Sequence, residues 1–159
     1  MAERDELARR AGPVLALFVA TLAAGLLLLV LFDPDVQTLD ASELAERRDE
    51  AREFLVADYV FVLLYAVASP IAIWRFGAAL VGGTPPVWVR AAALALVAAG
   101  VCDAVQNALL FAASGSESQS AVDVAHAVSV PLMVLFIVGA LLALAVNVRA
   151  VRALRRGAA

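Results

Sequence analysis

The chain has 159 residues, of which 64% are hydrophobic and 17% charged, with a formal net charge of −3 and a mean hydropathy of +0.90. A soluble fold has nowhere to bury that much apolar surface, and little chain is left over for a nucleic-acid-binding face, a phosphate-cradling loop or a zinc motif. A lone cysteine, Cys102, excludes disulfide exchange, and a lone histidine, His126, excludes bis-histidine haem ligation.

A hydrocarbon core of ~30 Å and a rise of ~1.5 Å per residue require ~20 apolar residues per spanning helix. Four stretches meet this. The first, Pro13 to Phe32, follows a basic start and ends in Phe32-Asp33-Pro34, with no small-residue cleavage site, so it reads as a retained helix and not as a secretory signal. In the loop that follows, Asp40 and Glu43 form a capping-box-like start for a helix over Ala41 to Glu53. Its thin apolar stripe, Ala41, Leu44, Ala45 and Ala51, predicts a solvated acidic helix that lies at the interface or prolongs the second span. The second span is Phe54 to Trp74. Gly82-Gly83-Thr84-Pro85-Pro86 is a turn, and Val87 to Ala113 is the third span. A polar link, Ser114 to Ser120, leads into the fourth, Ala121 to Val146, with Ser120 and Asp123 again resembling a capping box. The predicted fold is all-α, a polytopic four-transmembrane-helix bundle forming a single domain over 1–159, with a short acidic amphipathic helix between helices 1 and 2. Pro70 and Pro131 are expected to bend the second and fourth helices, and Gly25 and Gly100 to permit close backbone approach.

All twelve basic residues are arginine. Nine of them, Arg4, Arg9, Arg10, Arg75, Arg90, Arg149, Arg152, Arg155 and Arg156, fall on one side of the predicted spans. The other three, Arg47, Arg48 and Arg52, sit among eight carboxylates between Asp33 and Glu53. The excess of positive charge on cytoplasmic segments predicts a multi-pass cell-membrane protein with both termini cytoplasmic. Trp74 and Trp88 then fall at the inner interface, and Tyr59 reads as an outer-interface anchor.

Within the spans the ionisable and amide side chains are few. Counted from the outer ends, Asp58, Asn107 and His126 lie about 6 to 9 Å deep, Ser129 about 12 Å, and Asp103 and Tyr65 about 15 to 16 Å. They share helix faces as well: Asp58, Tyr65 and Ser69 form one stripe, Asp103, Gln106, Asn107 and Leu110 a second, and His126, Ser129 or Val130, and Met133 a third. A carboxylate at the centre of a spanning helix costs ~+2.5 to +3.5 kcal/mol, so these stripes should turn toward one another. The expected result is a pocket open to the exterior, with Asp103 at its floor, Gln106 and Asn107 supplying amide groups, and Asp58 and His126 near its mouth. An Asp/His pair there could exchange a proton near neutral pH. The alternative is that all these groups hydrogen-bond across helices to hold the bundle together.

The run Ala99-Gly100-Val101-Cys102-Asp103-Ala104-Val105-Gln106-Asn107, with Asp58 and Tyr65 one helix earlier, resembles four-helix prokaryotic membrane proteins that carry an Asp-x-x-Glu/Gln-Asn motif in the third helix. That resemblance implies a fold and no activity. Asp58-Tyr59-Val60-Phe61 followed by Pro70-Ile71-Ala72 is similar to the second helix of the sterol-isomerase and sigma-2-receptor superfamily, in which acids on adjacent helices line a pocket for lipid-like amines. The remaining helices do not match, so no catalytic role is carried over. Lipoprotein signal peptidases share the length and two intramembrane aspartates, but their Asn-containing motifs are missing here. Glu-x-x-His spacing for a di-iron site is absent too. Small multidrug exporters agree in size and in having a membrane carboxylate, although the first helix here is acid-free. No metal or cofactor is expected.

Three classes stay open. The first is a protein that binds a small amphipathic or lipid-like ligand in the outer half of the bundle. The second is a proton-coupled small transporter, a homodimer or a protein with a membrane partner, using Asp103. Its difficulty is that the sequence marks no polar path inward of that residue. The third is a membrane enzyme on a lipid-like substrate, with Asp103 or His126 moving a proton.

Overall fold

The computed structural model describes residues 2–32 and 34–157, with side chains over 7–32 and 35–155. Asp33 and the side chains of Arg4, Pro34 and Arg156, all used in the sequence reading, lie outside the described residues. The described residues are 93% helix, with no strand among them. In chain order the elements are α1 (Ala2–Leu31), a 3-10 turn (Pro34–Thr38), α2 (Ala41–Glu46), α3 (Arg48–Leu63), a π turn (Leu64–Ala68), α4 (Ser69–Val81), α5 (Val87–Ser116) and α6 (Gln119–Gly157). Four helical rods result, because α3, the π turn and α4 run on without a break, and each rod is long and apolar enough to cross a membrane. Short connections make sequential rods antiparallel neighbours. The closest pair is α5 with α6; α1 packs on α6 and α4, and α3 packs on α5.

Around an apolar core, the burial pattern departs from that of a soluble bundle in two ways. Asp58, Asp103, Gln106, Asn107, Ser114 and Asn147 are buried, whereas Leu26, Val30, Val87, Leu94, Val130 and Leu141 are more than 60% exposed. Only small residues allow the rods to approach closely. A Cβ at Gly100 would collide with the Ala66 methyl of the π turn, and one at Gly139 would reach the Leu96 side chain of α5 at 2.8 Å. The π turn itself has a cause in sequence. Pro70 has no N–H to give the Ala66 carbonyl and would clash with it in a regular helix, and a wider turn over the preceding residues relieves that conflict. The expected bend at Pro70 therefore takes the form of one π turn, while α6 continues through Pro131.

Two sequence expectations about the outer end are corrected. The Asp40/Glu43 capping box is present, with Glu43 N–H donating to Asp40 Oδ1 at 2.9 Å and Asp40 N–H to Glu43 Oε2 at 3.1 Å. The helix it starts stops at Glu46, however, and after one turn residue, Arg47, α3 runs from Arg48 straight into the second span, so Arg48 to Glu53 prolongs that span as the second expected alternative had it. Nor is α2 solvated on all sides: Ala41 and Leu44 are buried in a small outer core with Val36, Leu55, Leu110 and Val122. Full burial of Leu44 contributes about 1.5–3 kcal/mol where this cap meets water. Arg48 Nε donates to the Ser114 carbonyl at 2.8 Å and Arg52 Nε to Ser114 Oγ at 3.3 Å, tying the start of α3 to the end of α5. The second correction concerns α6, which begins at Gln119. Ser120 is thus already helical, and Asp123 accepts from the Gln119 side chain at 2.9 Å instead of closing a box with Ser120.

Candidate functional site

Asp58 projects from the middle of α3 and Asp103 from the middle of α5, and the two acids border one cavity across the contact of these helices. Both are nearly sealed from the surface, at 5% and 6% exposure. Each has one donor from the opposite rod. Asn107 Nδ2 donates to Asp58 Oδ2 at 2.7 Å, and Tyr65 OH donates to Asp103 Oδ2 at 2.7 Å. The exchange is reciprocal: the acid of α3 is held by an amide of α5, and the acid of α5 by a phenol of the π turn. Ionised carboxylates only accept, so neither acid supplies a donor to the other unless one carries a proton. Asp103 Oδ1 has no donor, and the same is true of Gln106 Oε1 and Asn107 Oδ1 on the same face of α5. A buried polar atom without a partner costs about 1–3 kcal/mol. Three on one helix face mark a place that lacks donors.

Two of these residues, Asp103 and Gln106, border a cavity of about 260 Å³ between the α3 rod and α6. Asp58, Asp103 and Gln106 form its polar side, and Phe61, Tyr65 and Phe136 its aromatic side. The rings interlock: Tyr65 lies 5.1 Å from Phe61 and 5.0 Å from Phe136, the latter contact edge-on at 82°. Leu132 and Met133 of α6 complete the apolar wall, and Gln37 of the 3-10 turn and Ser129 of α6 also line the space.

Tyr65 and Phe136 also border a second space. A narrower crevice of about 90 Å³ runs from them toward the other end of the bundle, lined by Thr21, Ser69, Leu96 and Asn147 among others. Thr21 Oγ1 and Ser69 Oγ are 3.4 Å apart across α1 and α4. Asn147 is 4% exposed; its Nδ2 donates to the Ala143 carbonyl at 2.9 Å, and its Oδ1 has no donor. Tyr65 and Phe136 therefore border both spaces, and the inner one is lined mainly by apolar side chains.

The structure places the sequence-predicted residues as follows. Asp58, Tyr65, Asp103, Gln106 and Asn107 come together, with Asn107 behind Asp58 and outside the cavity lining. His126 does not join them. Its Nε2 lies 3.0 Å from the Gln37 carbonyl, so the ring braces the 3-10 turn, and the expected Asp/His proton pair is not formed. Ser129 donates to the His126 carbonyl at 2.7 Å while lining the cavity. Tyr59 hydrogen-bonds to the Ala104 carbonyl at 3.2 Å, so it ties α3 to α5 instead of only anchoring at an interface. Sequence reasoning missed Thr21, Asn147, Phe61 and Phe136. The signal for Asn147 was there, an amide one residue beyond an otherwise apolar run. Among the described residues no three His, Cys, Asp or Glu side chains gather into a group that could hold a metal ion. Comparison with protein-family models, with curated proteins and with solved structures finds no match to this chain.

Proposed function

We propose that the chain is an integral membrane protein with both termini cytoplasmic, and that its outer cavity binds a small amphipathic molecule carrying a protonated amine. The observation behind this reading is the set of donor-less buried oxygens, Asp103 Oδ1 and Gln106 Oε1, in a two-acid cavity walled by Phe61, Tyr65 and Phe136. An ammonium supplies the missing N–H donors and one positive charge for the acid pair, and aromatic faces stabilise a cation by about 0.5–2 kcal/mol. Leu132 and Met133 accommodate an alkyl portion, with methionine suited to an irregular apolar fit. The exposed aliphatic surface and the buried polar interior support insertion in a bilayer.

The test is calorimetric binding to the purified chain in neutral detergent, comparing dodecylamine, dodecyltrimethylammonium and dodecanol. Dodecylamine should bind most tightly, the quaternary ion more weakly for want of N–H groups, and the alcohol not at all. Asp103→Asn should weaken dodecylamine by tenfold or more, since a charge-assisted hydrogen bond is worth about 1.5–3 kcal/mol. Alcohol and amine binding alike would sink the proposal.

A second reading, proton-coupled transport, is favoured by the inner crevice. Thr21, Ser69 and Asn147 place three polar side chains in the otherwise apolar lining on the far side of Tyr65, where the sequence marked none. In liposomes carrying a pH-sensitive dye, this reading requires proton flux that Asn147→Leu abolishes, with amine binding at the outer cavity unchanged.

A further inference from the structure

The outer cavity and the inner crevice lie on one seam. Phe136, Ala140, Ala143 and Asn147 stand at offsets of 0, 4, 7 and 11 along α6, a single helix face, and all four line the crevice. The same face carries Ser129, Leu132 and Met133 into the cavity. On the second rod Tyr65 borders both spaces, with Asp58 seven residues before it on the cavity side and Ser69 and Ile73 at four and eight after it in the crevice. On α5, Leu96 of the crevice is seven residues from Asp103 of the cavity. Three rods thus turn one stripe each toward both spaces, and the edge contact of Tyr65 with Phe136 crosses the seam. The two rings are not held alike. Tyr65 is 2% exposed and bonded to Asp103, whereas Phe136 has no polar atom to anchor it and is only half-buried, so Phe136 is the ring free to turn aside. Beyond it the crevice runs eleven residues to Asn147, roughly 16 Å of helix. A volume of about 90 Å³ over that length suits one extended chain and no ring system. Thr21 is already paired, since its hydroxyl donates to the Leu17 carbonyl at 2.8 Å and meets Ser69 Oγ. Asn147 is not: Nδ2 is used by the Ala143 carbonyl, and the buried Oδ1 has no donor.

We infer that the seam is one elongated binding site, and that its ligand is a long unbranched amine whose far end carries a neutral hydrogen-bond donor such as a hydroxyl. The inference rests on the amine reading of the outer cavity and adds the shape and the second end of the molecule. The ammonium lies at Asp103 Oδ1 and Gln106 Oε1, the chain passes Leu132 and the turned Phe136 ring, and the hydroxyl donates to Asn147 Oδ1. Each feature of the seam selects one feature of the ligand. Acceptors without donors at both ends call for a donor at both ends. The end beside two acids takes the charge. Among the described residues no Asp or Glu lines the crevice, so a second charge there would have no counter-ion at membrane depth, and the far donor is neutral. The narrow apolar stretch between them, past Ile73, Leu96 and Ala143, excludes branches and rings.

The experiment titrates 12-aminododecan-1-ol, dodecylamine and hexylamine into the full chain in neutral detergent, by calorimetry, for the unaltered protein, Asn147→Leu and Ala143→Leu. Each amine is compared across the three proteins, so its partition into detergent cancels. Asn147→Leu removes the far acceptor and leaves the ligand hydroxyl buried without a partner, so it should weaken the amino alcohol about tenfold. Dodecylamine, which has no group for Asn147, should change less than about twofold, and its retained binding shows that the variant is folded. Ala143→Leu narrows the seam midway by a different route and should also weaken the amino alcohol about tenfold, the order of an overpacking cost. Hexylamine is too short to reach that point and should keep its affinity. An amino alcohol indifferent to Asn147→Leu, the result expected where water alone serves Asn147, would overturn the inference and leave the amine reading in place. So would full amino-alcohol affinity in Ala143→Leu, which lays the chain along Leu132 and Met133 alone. Failure of every amine to bind the unaltered chain would sink the amine reading and the inference together.

Discussion

At the scale of single residues, Gly100 decides whether the carboxyl pair can form. It lies one turn from Asp103, and its missing side chain lets the π turn press against α5 so that Tyr65 can reach the acid. In an isolated helix, alanine would be favoured over glycine by about 1 kcal/mol. Here the added methyl meets Ala66, and forced overpacking of this kind typically costs about 1–3 kcal/mol. Gly100→Ala is therefore expected to lower stability in a detergent unfolding titration and to lengthen the Tyr65–Asp103 contact, whereas an unchanged or raised midpoint would show that the rods can slide apart freely. The sequence made this partly legible. Heptad spacing put Asp58 and Tyr65 on one stripe and Asp103 with Gln106 and Asn107 on another, and the cost of unpaired acids turned the stripes inward. It could not show that His126 would find a backbone acceptor in the 3-10 turn, because the path of a loop around a helix end is not encoded in helix periodicity.

At the scale of elements, the outer cap has its own chemistry. The Asp40 carboxyl is held below its ordinary value of 3.8, first by the Glu43 backbone N–H and then by the Ser42 hydroxyl. A depressed carboxylate contributes stability above its unfolded value, and that contribution disappears as pH falls through the lower folded value. The start of α2 should therefore stay ordered from neutral pH down to the ordinary carboxylate range and fray only below it. An NMR titration of the Glu43 amide should show a midpoint under 3.8. Asp40→Asn, which still caps but cannot titrate, should remove the transition, and a midpoint at or above 3.8 would contradict the cap's preference for charge. The capping box was readable from Asp40 and Glu43 alone. The length of the helix was not: the stop at Arg47 accompanies burial of Leu44 in one core with Leu110 and Val122, and local propensity does not register such tertiary packing. The π turn was likewise visible only as a proline.

At the scale of the whole molecule, the rods are unequal. In their most apolar windows α1 and α6 are only 6% and 11% buried, against 39% for the two rods that carry the acids. The inner rods thus hold the polar groups, and the outer two present mostly aliphatic surface. The arginine distribution predicts an orientation that follows from charge alone. In a Cys102→Ser background, single cysteines introduced at Ser42 and Ser116 should label from outside intact cells, and one at Thr84 only after permeabilisation; the reverse pattern would invert the bundle and put the carboxyl cavity on the cytoplasmic side. The chromophores are sorted by end as well. The chain has two tyrosines and two tryptophans. Tyr59 and Tyr65 both hydrogen-bond to α5 at Ala104 and Asp103, beside the outer cavity. At the other end Trp74 precedes Arg75, and the Arg149 guanidinium lies over Trp88, 4.6 Å from its ring centre. Selective excitation of the indoles therefore reports, without a label, on the end of the molecule opposite the outer cavity, while phenol hydrogen bonding reports on the cavity itself.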